Sequence, residues 1–422
     1  VPCVTALIPL GNAVLDTAAA WLAAVALAVL VGFVVGLAPR AVQDVTLAVV
    51  GVLRPLPAVT LAPIVLVLHG STIVVGCFAA LWPVLWHTLL RAPPDPTRMD
   101  VVAVYRVSRW RAFWWVRVPS AVPGVMNGLR IGAPVALAAV LGTELLAGNG
   151  LGGYLWTTAH AGQVALVSDA VAATGLLGWI VDAPLDTSGH AVPVLDGIFG
   201  RLRWLVFALF LLFWQGVTWF AHDRFFPAPL AILARARGWW SVDLLLSVGR
   251  LAAGWGIAAV VGIGLGLLLA GHAGVVLSFL LAVPPVVLVP VFLTVSRGDV
   301  AEIAAIAAGG IWPILVHTAH GVRTVDPVTI QTARVFRVRL PLVRVVVRAA
   351  APRIFAGLRI GLATSITVSL LMELLGTGGI GHRLALAWSA GDFTAMWAWL
   401  VLVWVISAAA HWLLVLVGRR VS

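Results

Sequence analysis

Four arginines, Arg98, Arg106, Arg109 and Arg111, crowd the stretch "DPTRMDVVAVYRVSRWRAF" from Asp95 to Phe113. A second stretch with the same Asp-Pro opening, "DPVTIQTARVFRVRLP" from Asp326 to Pro341, carries Arg334, Arg337 and Arg339. Guanidinium groups bind carboxylates, phosphates and anionic surfaces and do not give up their protons, so such islands speak for recognition rather than catalysis. All 27 basic residues of the chain are arginine. Without lysine there is no GxxxxGK[ST] phosphate loop and no Schiff-base chemistry. His-Glu-x-x-His and Gly-x-Ser-x-Gly patterns are absent too. Cys3 and Cys77 stand singly in apolar surroundings, with neither metal nor disulfide spacing. The chain is expected to be no enzyme, to hold no metal and to bind no nucleic acid; any ATP it depends on is hydrolysed by another chain.

The elements that must hold these residues are membrane spans. An apolar share of 62% and a mean hydropathy of +1.07 exceed what a soluble domain carries. Apolar runs near the roughly 20 residues needed to cross a bilayer recur along the chain. The fold class expected is all-α, a polytopic bundle whose helices satisfy their own backbone groups. About eleven spans are read: 18–38, 55–69, 72–90, 125–147, 163–181, 204–221, 244–270, 275–295, 300–320, 355–376 and 396–416. The opening "VPCVTALIPLGNAV" has no charged n-region, so no secretory signal is read there. Residues 91–117 hold six arginines and residues 323–353 hold seven. Both lie in short loops, which places them on the cytoplasmic side.

The chain also repeats itself. "WPVLWHT" at 82–88 answers "WPILVHT" at 312–318, and "NGLRIG" at 127–132 answers "AGLRIG" at 356–361. "TELLAGNGLGGYL" at 143–155 answers "MELLGTGGIGHRL" at 372–384, and Pro57 and Pro63 share the spacing of Pro284 and Pro290. Both arginine islands face the same side, so the repeats are parallel, related by a pseudo-two-fold axis along the membrane normal. The first repeat covers 1–182 and lacks one N-terminal helix; a linker rich in Asp, Pro and Gly covers 183–203; the second repeat covers 204–422.

Charged residues within the spans are costly and raise functional suspicion. Glu144 and Glu373 occupy equivalent positions near the outer ends of matching helices. Each either lines or gates a translocation path or is hydrated at the interface. Arg250, in "LLLSVGRLAAGW", must face protein or water and is a third path candidate. Arg130 and Arg359 lie near the inner interface, where snorkelling accounts for them better than attraction of an anion does. His87 and His317 are also equivalent; packing and hydrogen bonding explain them, since no carboxylate or cysteine stands at ligand spacing.

These residues carry a family resemblance. The series "DPTRMDVVAVYRVSRW", "VPSAVPGVMNGLRIG", "TELL" and "GLGGYL" resembles the binding-protein-dependent permease domain of bacterial ABC importers. "RPLPAVTLAPIVLVLHG" at 54–70 and "AWSAGDFTAMWAWLVLVWVIS" at 387–407 are similar to its nitrate/sulfonate/taurine branch. The family's Glu-Ala-Ala triplet reads Asp100-Val101-Val102 here, and Gln331-Thr332-Ala333 in the second copy. Its following glycine is Arg106 and Arg337.

The resemblance implies two fused permease domains in the bacterial cytoplasmic membrane. It implies that segments 100–112 and 331–344 form short coupling helices in grooves of a cytoplasmic ATPase. Asp95, Asp100, Arg106, Arg109 and Trp110 would belong to one coupling loop, and Asp326, Gln331, Arg334, Arg337 and Arg339 to the other. Two such loops imply two copies of the ATPase. That partner uses ATP and Mg, while this chain binds no cofactor. An extracytoplasmic binding protein would deliver the substrate, a small anion such as sulfonate, taurine or nitrate. A basic face lying on anionic membrane lipid is the competing reading of the islands, though their recurrence at matched positions favours docking. A secondary transporter is the alternative function. Ion coupling usually leaves acids in mid-membrane, and beyond the paired glutamates and Asp169 few are visible.

Overall fold

A computed structural model describes residues 2–38, 42–43, 45–46, 50, 62, 65, 71–91, 100–102, 104–161, 208–209, 211–219, 227–270, 285–295, 298–336, 342–376 and 378–421. Among the described residues all regular structure is helical. Seven helices are long and apolar enough to cross a membrane: Pro9–Gly36, Thr72–Leu89, Val118–Ala147, Val242–Leu269, Asp299–Arg323, Val345–Leu375 and Phe393–Gly418. They overlap seven of the eleven expected spans. Of the other four, 55–69 and 163–181 lie outside the described residues save for positions 62 and 65. The span 204–221 is described only at 208–209 and 211–219, and 275–295 only from 285, where Pro285–Thr294 forms a shorter apolar helix. The linker 183–203 lies outside the described residues.

The chain divides into two compact units, Val1–Leu151 with Ile180–Ala231, and Gly152–Trp179 with Ile232–Ser422. The first is organised by α1 (Pro2–Leu37), α2 (Thr72–Arg91) and α3 (Val118–Ala147). Lipid tails are as apolar as leucine, so burial gives such helices little reason to associate; close approach across small residues supplies contact instead. A Cβ on Gly76 would lie 2.9 Å from that of Ala20, and Gly32 abuts Thr88, so α1 and α2 run parallel. The third helix returns antiparallel, with Gly128 against Val84 and His87 and Gly132 against Ala80. Ala24, Ala80 and Ala136 meet where the three converge. Trp21 donates its indole N–H to the Leu129 carbonyl at 3.1 Å, tying α1 to α3. His87 Nδ1 and Asn127 Nδ2 are 3.1 Å apart, a hydrogen bond between α2 and α3.

The second unit is organised by α4 (Val242–Leu269), α5 (Asp299–Arg323), α6 (Pro327–Val335), α7 (Arg348–Leu375), α8 (Ile380–Ser389) and α9 (Phe393–Val421). Gly254, Gly262 and Gly266 of α4 face Ile306, Ile314 and Thr318 of α5, a rising register that makes the two parallel and close. In α7, running antiparallel, Gly357 faces His317 and Gly361 faces Ile314. Trp255 donates to the Leu358 carbonyl at 3.3 Å. Pro313 inside α5 has no N–H to offer the Gly309 carbonyl four residues back. Thr364 of α7 donates its hydroxyl to that oxygen at 2.9 Å, and Ser365 donates to the Ile306 carbonyl at 3.1 Å. With no water in the hydrocarbon region, such donors have to come from a neighbouring helix. Asp392 caps α9 by accepting the Ala395 N–H at 3.0 Å, and pairs with Arg235 at 3.2 Å.

A short π-helical stretch leads into each returning helix, Phe113–Arg117 before α3 and Leu342–Val347 before α7. Sequence periodicity gives no hint of either. Such stretches tend to gather at functional sites.

Candidate functional site

The arginine islands join α2 to α3 in the first unit and α5 to α7 in the second. In the first, Asp95 lies outside the described residues, and Asp100 opens a helical turn closed by the Tyr105 N–H on the Val101 carbonyl at 3.0 Å. Arg106 then takes φ +48°, a left-handed conformation that glycine adopts freely and other residues seldom do. Helix resumes at Arg109–Ala112, where the Ser108 hydroxyl accepts the Arg111 N–H at 3.4 Å. Segment 100–112 is therefore not one helix but two pieces with a break. The break falls at the position where the resembled family has glycine. Trp110 is exposed, stacked on Phe113 with centroids 6.4 Å apart and edge-on to Trp114 at 5.7 Å.

The second island is more regular. Asp326 Oδ1 accepts the Val328 N–H at 2.9 Å, an N-cap, and Pro327 takes the first helical position, where a missing N–H costs nothing. These two residues start α6 at 327, ahead of the 331–344 segment read from sequence. Val325, Ile330 and Ala333 turn into the core with Ala350 and Ile354. Val328, Gln331, Val335 and Phe336 turn outward. Arg334 lies within α6; Arg337 and Arg339 lie outside the described residues. So α6 keeps one face on the core of the second unit and exposes the other, where Val328 and Val335 stand among Thr329, Gln331 and Thr332.

At the opposite end of each unit a glutamate is enclosed. Glu144 is 3% exposed and Glu373 2%. Each lies under a glycine turn: a Cβ on Gly150 (φ +59°) or on Gly379 (φ +93°) would come within 2.8 Å of the respective carboxylate Oε2. Glu373 Oε2 accepts the Gly381 N–H at 2.8 Å, which fixes the start of α8. Around it, Ser247 Oγ accepts the Ile380 N–H at 2.8 Å, and Asp243 accepts from Gly379 at 3.3 Å and from Arg383 Nε at 2.7 Å.

Arg250 joins this group. Its Nη1 donates to Glu302 Oε2 at 2.7 Å and its Nε to Asp299 Oδ1 at 3.0 Å. Asp299 and Glu302 share a face in the first turn of α5, being three residues apart. Glu302, only 7% exposed, escaped the sequence reading, although an acid pair opening an apolar helix called for a cation from another element. Its carboxyl also interacts electrostatically with that of Glu373. Arg250, Glu302 and Glu373 thus form one buried charged group contributed by α4, α5 and α7.

The family described as "Binding-protein-dependent transport system inner membrane component" matches residues 251–422. The chain is similar to the bicarbonate transport system permease protein CmpB of Synechococcus elongatus, at 31% identity over 215 residues, covering 44% of this chain and 75% of that one. It is similar to the nitrate import permease protein NrtB of a Synechocystis species, at 29% identity over 137 residues, 31% of this chain and 50% of the relative. A Bacillus subtilis permease protein assigned to aliphatic sulfonates transport, SsuC, is 30% identical over 155 residues, 33% of this chain and 55% of that one.

Proposed function

Since the chain belongs to the binding-protein-dependent transport system inner membrane components, we propose that it carries two permease halves, 1–182 and 204–422, each coupled to its own copy of a cytoplasmic ATPase. It is a multi-pass inner-membrane subunit of an ATP-driven importer, a transport component rather than a catalyst, and it binds no cofactor. Its partners are an ATPase and a substrate-binding protein. The substrate is a small anion of the kind named for its relatives: bicarbonate, nitrate or a sulfonate.

Geometry supports the two-half reading. Trp21 reaches the carbonyl of Leu129 in "NGLRIG" as Trp255 reaches that of Leu358 in "AGLRIG". A π-helical stretch precedes both returning helices, and a glycine turn covers both glutamates. Docking is carried by α6. A capped helix held by Val325, Ile330 and Ala333 is stiff, and its outward Val328, Val335 and Phe336 suit an apolar groove on a partner. Arg106 and Trp110 in the first segment, with Asp95, Asp100 and Arg109, and Asp326, Gln331, Arg334, Arg337 and Arg339 in the second, complete the two docking surfaces. Glu144, Glu373 and Arg250 stand at the outer ends, where a path would open. Deleting residues 100–111 is expected to abolish co-purification of the ATPase. Retained ATPase at full stoichiometry would overturn the docking role.

A further inference from the structure

Glu302 and Glu373 share a feature that transport coupling leaves unexplained. Both side chains are buried, and the Oε1 atom of each has no hydrogen-bond partner. The other oxygens are engaged, Glu302 Oε2 by Arg250 at 2.7 Å and Glu373 Oε2 by the Gly381 N–H at 2.8 Å. Buried polar atoms without partners are rare in folded proteins, and here two occur on carboxyl groups that interact with one another. An ionised carboxylate can only accept hydrogen bonds, so two of them bond to each other only when one has taken up a proton.

The surrounding charge leads to the same conclusion. Arg250 of α4 faces both carboxyls and is shared with Asp299 of α5, while Asp243 of α4 with His382 and Arg383 of α8 form a neighbouring group beside the Gly379 turn. Arg383 is taken up by Asp243. Asp299 shares Arg250 but is 63% exposed at its side chain, so water also compensates it. One guanidinium is then left for two buried carboxylates. A single proton makes the group neutral. A cavity of about 30 Å³, lined by Ser247, Ser369 and Glu373, adjoins it and has room for a water to deliver that proton.

We propose that Glu302 and Glu373 form a proton-binding carboxyl pair at the outer end of the second unit, one proton bridging their Oε1 atoms. The proton comes from solvent, and no bond other than the O–H is made or broken. The matching positions of the first unit hold a different pair. Asp16 stands five residues before Trp21 as Arg250 does before Trp255, and Thr72 ten before Trp82 as Glu302 does before Trp312. There the two residues simply hydrogen-bond, Thr72 Oγ1 donating to Asp16 Oδ2 at 2.9 Å.

The site is tested by infrared spectroscopy of the full chain in lipid nanodiscs, comparing Glu302→Gln, Glu373→Gln and, as control, Glu144→Gln. A protonated-carboxyl C=O band at neutral pH, shifted in D2O, lost in both pair variants and kept in the control, is the expected result. Absence of the band from the parent, or its survival in either pair variant, overturns the proposal. Gln keeps the shape and can donate to the remaining carboxylate, so both variants should fold. A second readout is thermal stability. Alkaline titration should lower the midpoint of the parent, because loss of the shared proton leaves two like charges in contact, and this slope should flatten in both variants. Equal slopes also overturn the pair. Neither measurement needs an ATPase or a substrate, so failure here is distinct from failure of the transport reading.

Discussion

Replacing Gly379 by alanine probes how tightly Glu373 is held. Gly379 has φ +93° and ψ −178°, a region that is essentially glycine's alone and costs another residue on the order of 1–3 kcal/mol. An added Cβ would stand 2.6 Å from Glu373 Oε1 and 2.8 Å from Oε2, well inside contact distance. The carboxylate must then move, and its hydrogen bond from Gly381 goes with it. A bond to a charged acceptor is worth about 1.5–3 kcal/mol, so the whole cost is about 2.5–6 kcal/mol. Gly298 supplies a control in the same unit. Its φ of +78° and ψ of −158° fall in the same region, but nothing lies within 4 Å of its absent side chain. Gly298→Ala should therefore cost only the backbone part, about 1–3 kcal/mol. Thermal unfolding followed by tryptophan fluorescence should rank parent, Gly298→Ala and Gly379→Ala in falling order. Adding Glu373→Ala removes the clash, so the double variant should be non-additive by about 2 kcal/mol. Indistinguishable midpoints for the two alanine variants would refute the idea that the carboxylate lies beneath that turn.

Two further outcomes are expected. Arg106→Gly should stabilise the first arginine-rich segment by about 1 kcal/mol, since φ +48° is unfavourable for arginine and free for glycine; a lowered unfolding midpoint would count against that turn. Trp21→Phe and Trp255→Phe should each lose one indole hydrogen bond, about 1 kcal/mol, by closely matched amounts. A large mismatch in their unfolding midpoints would weaken the two-half reading.

Hydropathy made the seven membrane-length helices legible, because length and apolar content are local properties of the chain. Asp326 and Pro327 are likewise local, and a helix start at 327 could have been read from them. What spacing does not carry is partnership across tens of residues. Arg250 stood out as a charge needing company, yet its partners lie 49 and 52 positions away on another helix. Thr364 looks like an ordinary small polar residue until Pro313 frees the Gly309 carbonyl opposite it. At Arg106 the side chain says nothing about a left-handed backbone; only the glycine of the resembled family hinted at it.

The glycine contacts between α4 and α5 have a mechanical consequence. Gly254, Gly262 and Gly266 bring the two backbones together at intervals along most of their length, so neither can slide or pivot without the other. Pro313 would ordinarily offer a hinge, but Thr364 splints it from the side. The 25 residues of α5 thus act as a pushrod about 37 Å long at 1.5 Å per residue, with α6 at one tip and the acids that grip Arg250 at the other. A displacement applied at α6 would therefore reach the acids around Arg250 with little lost to slack.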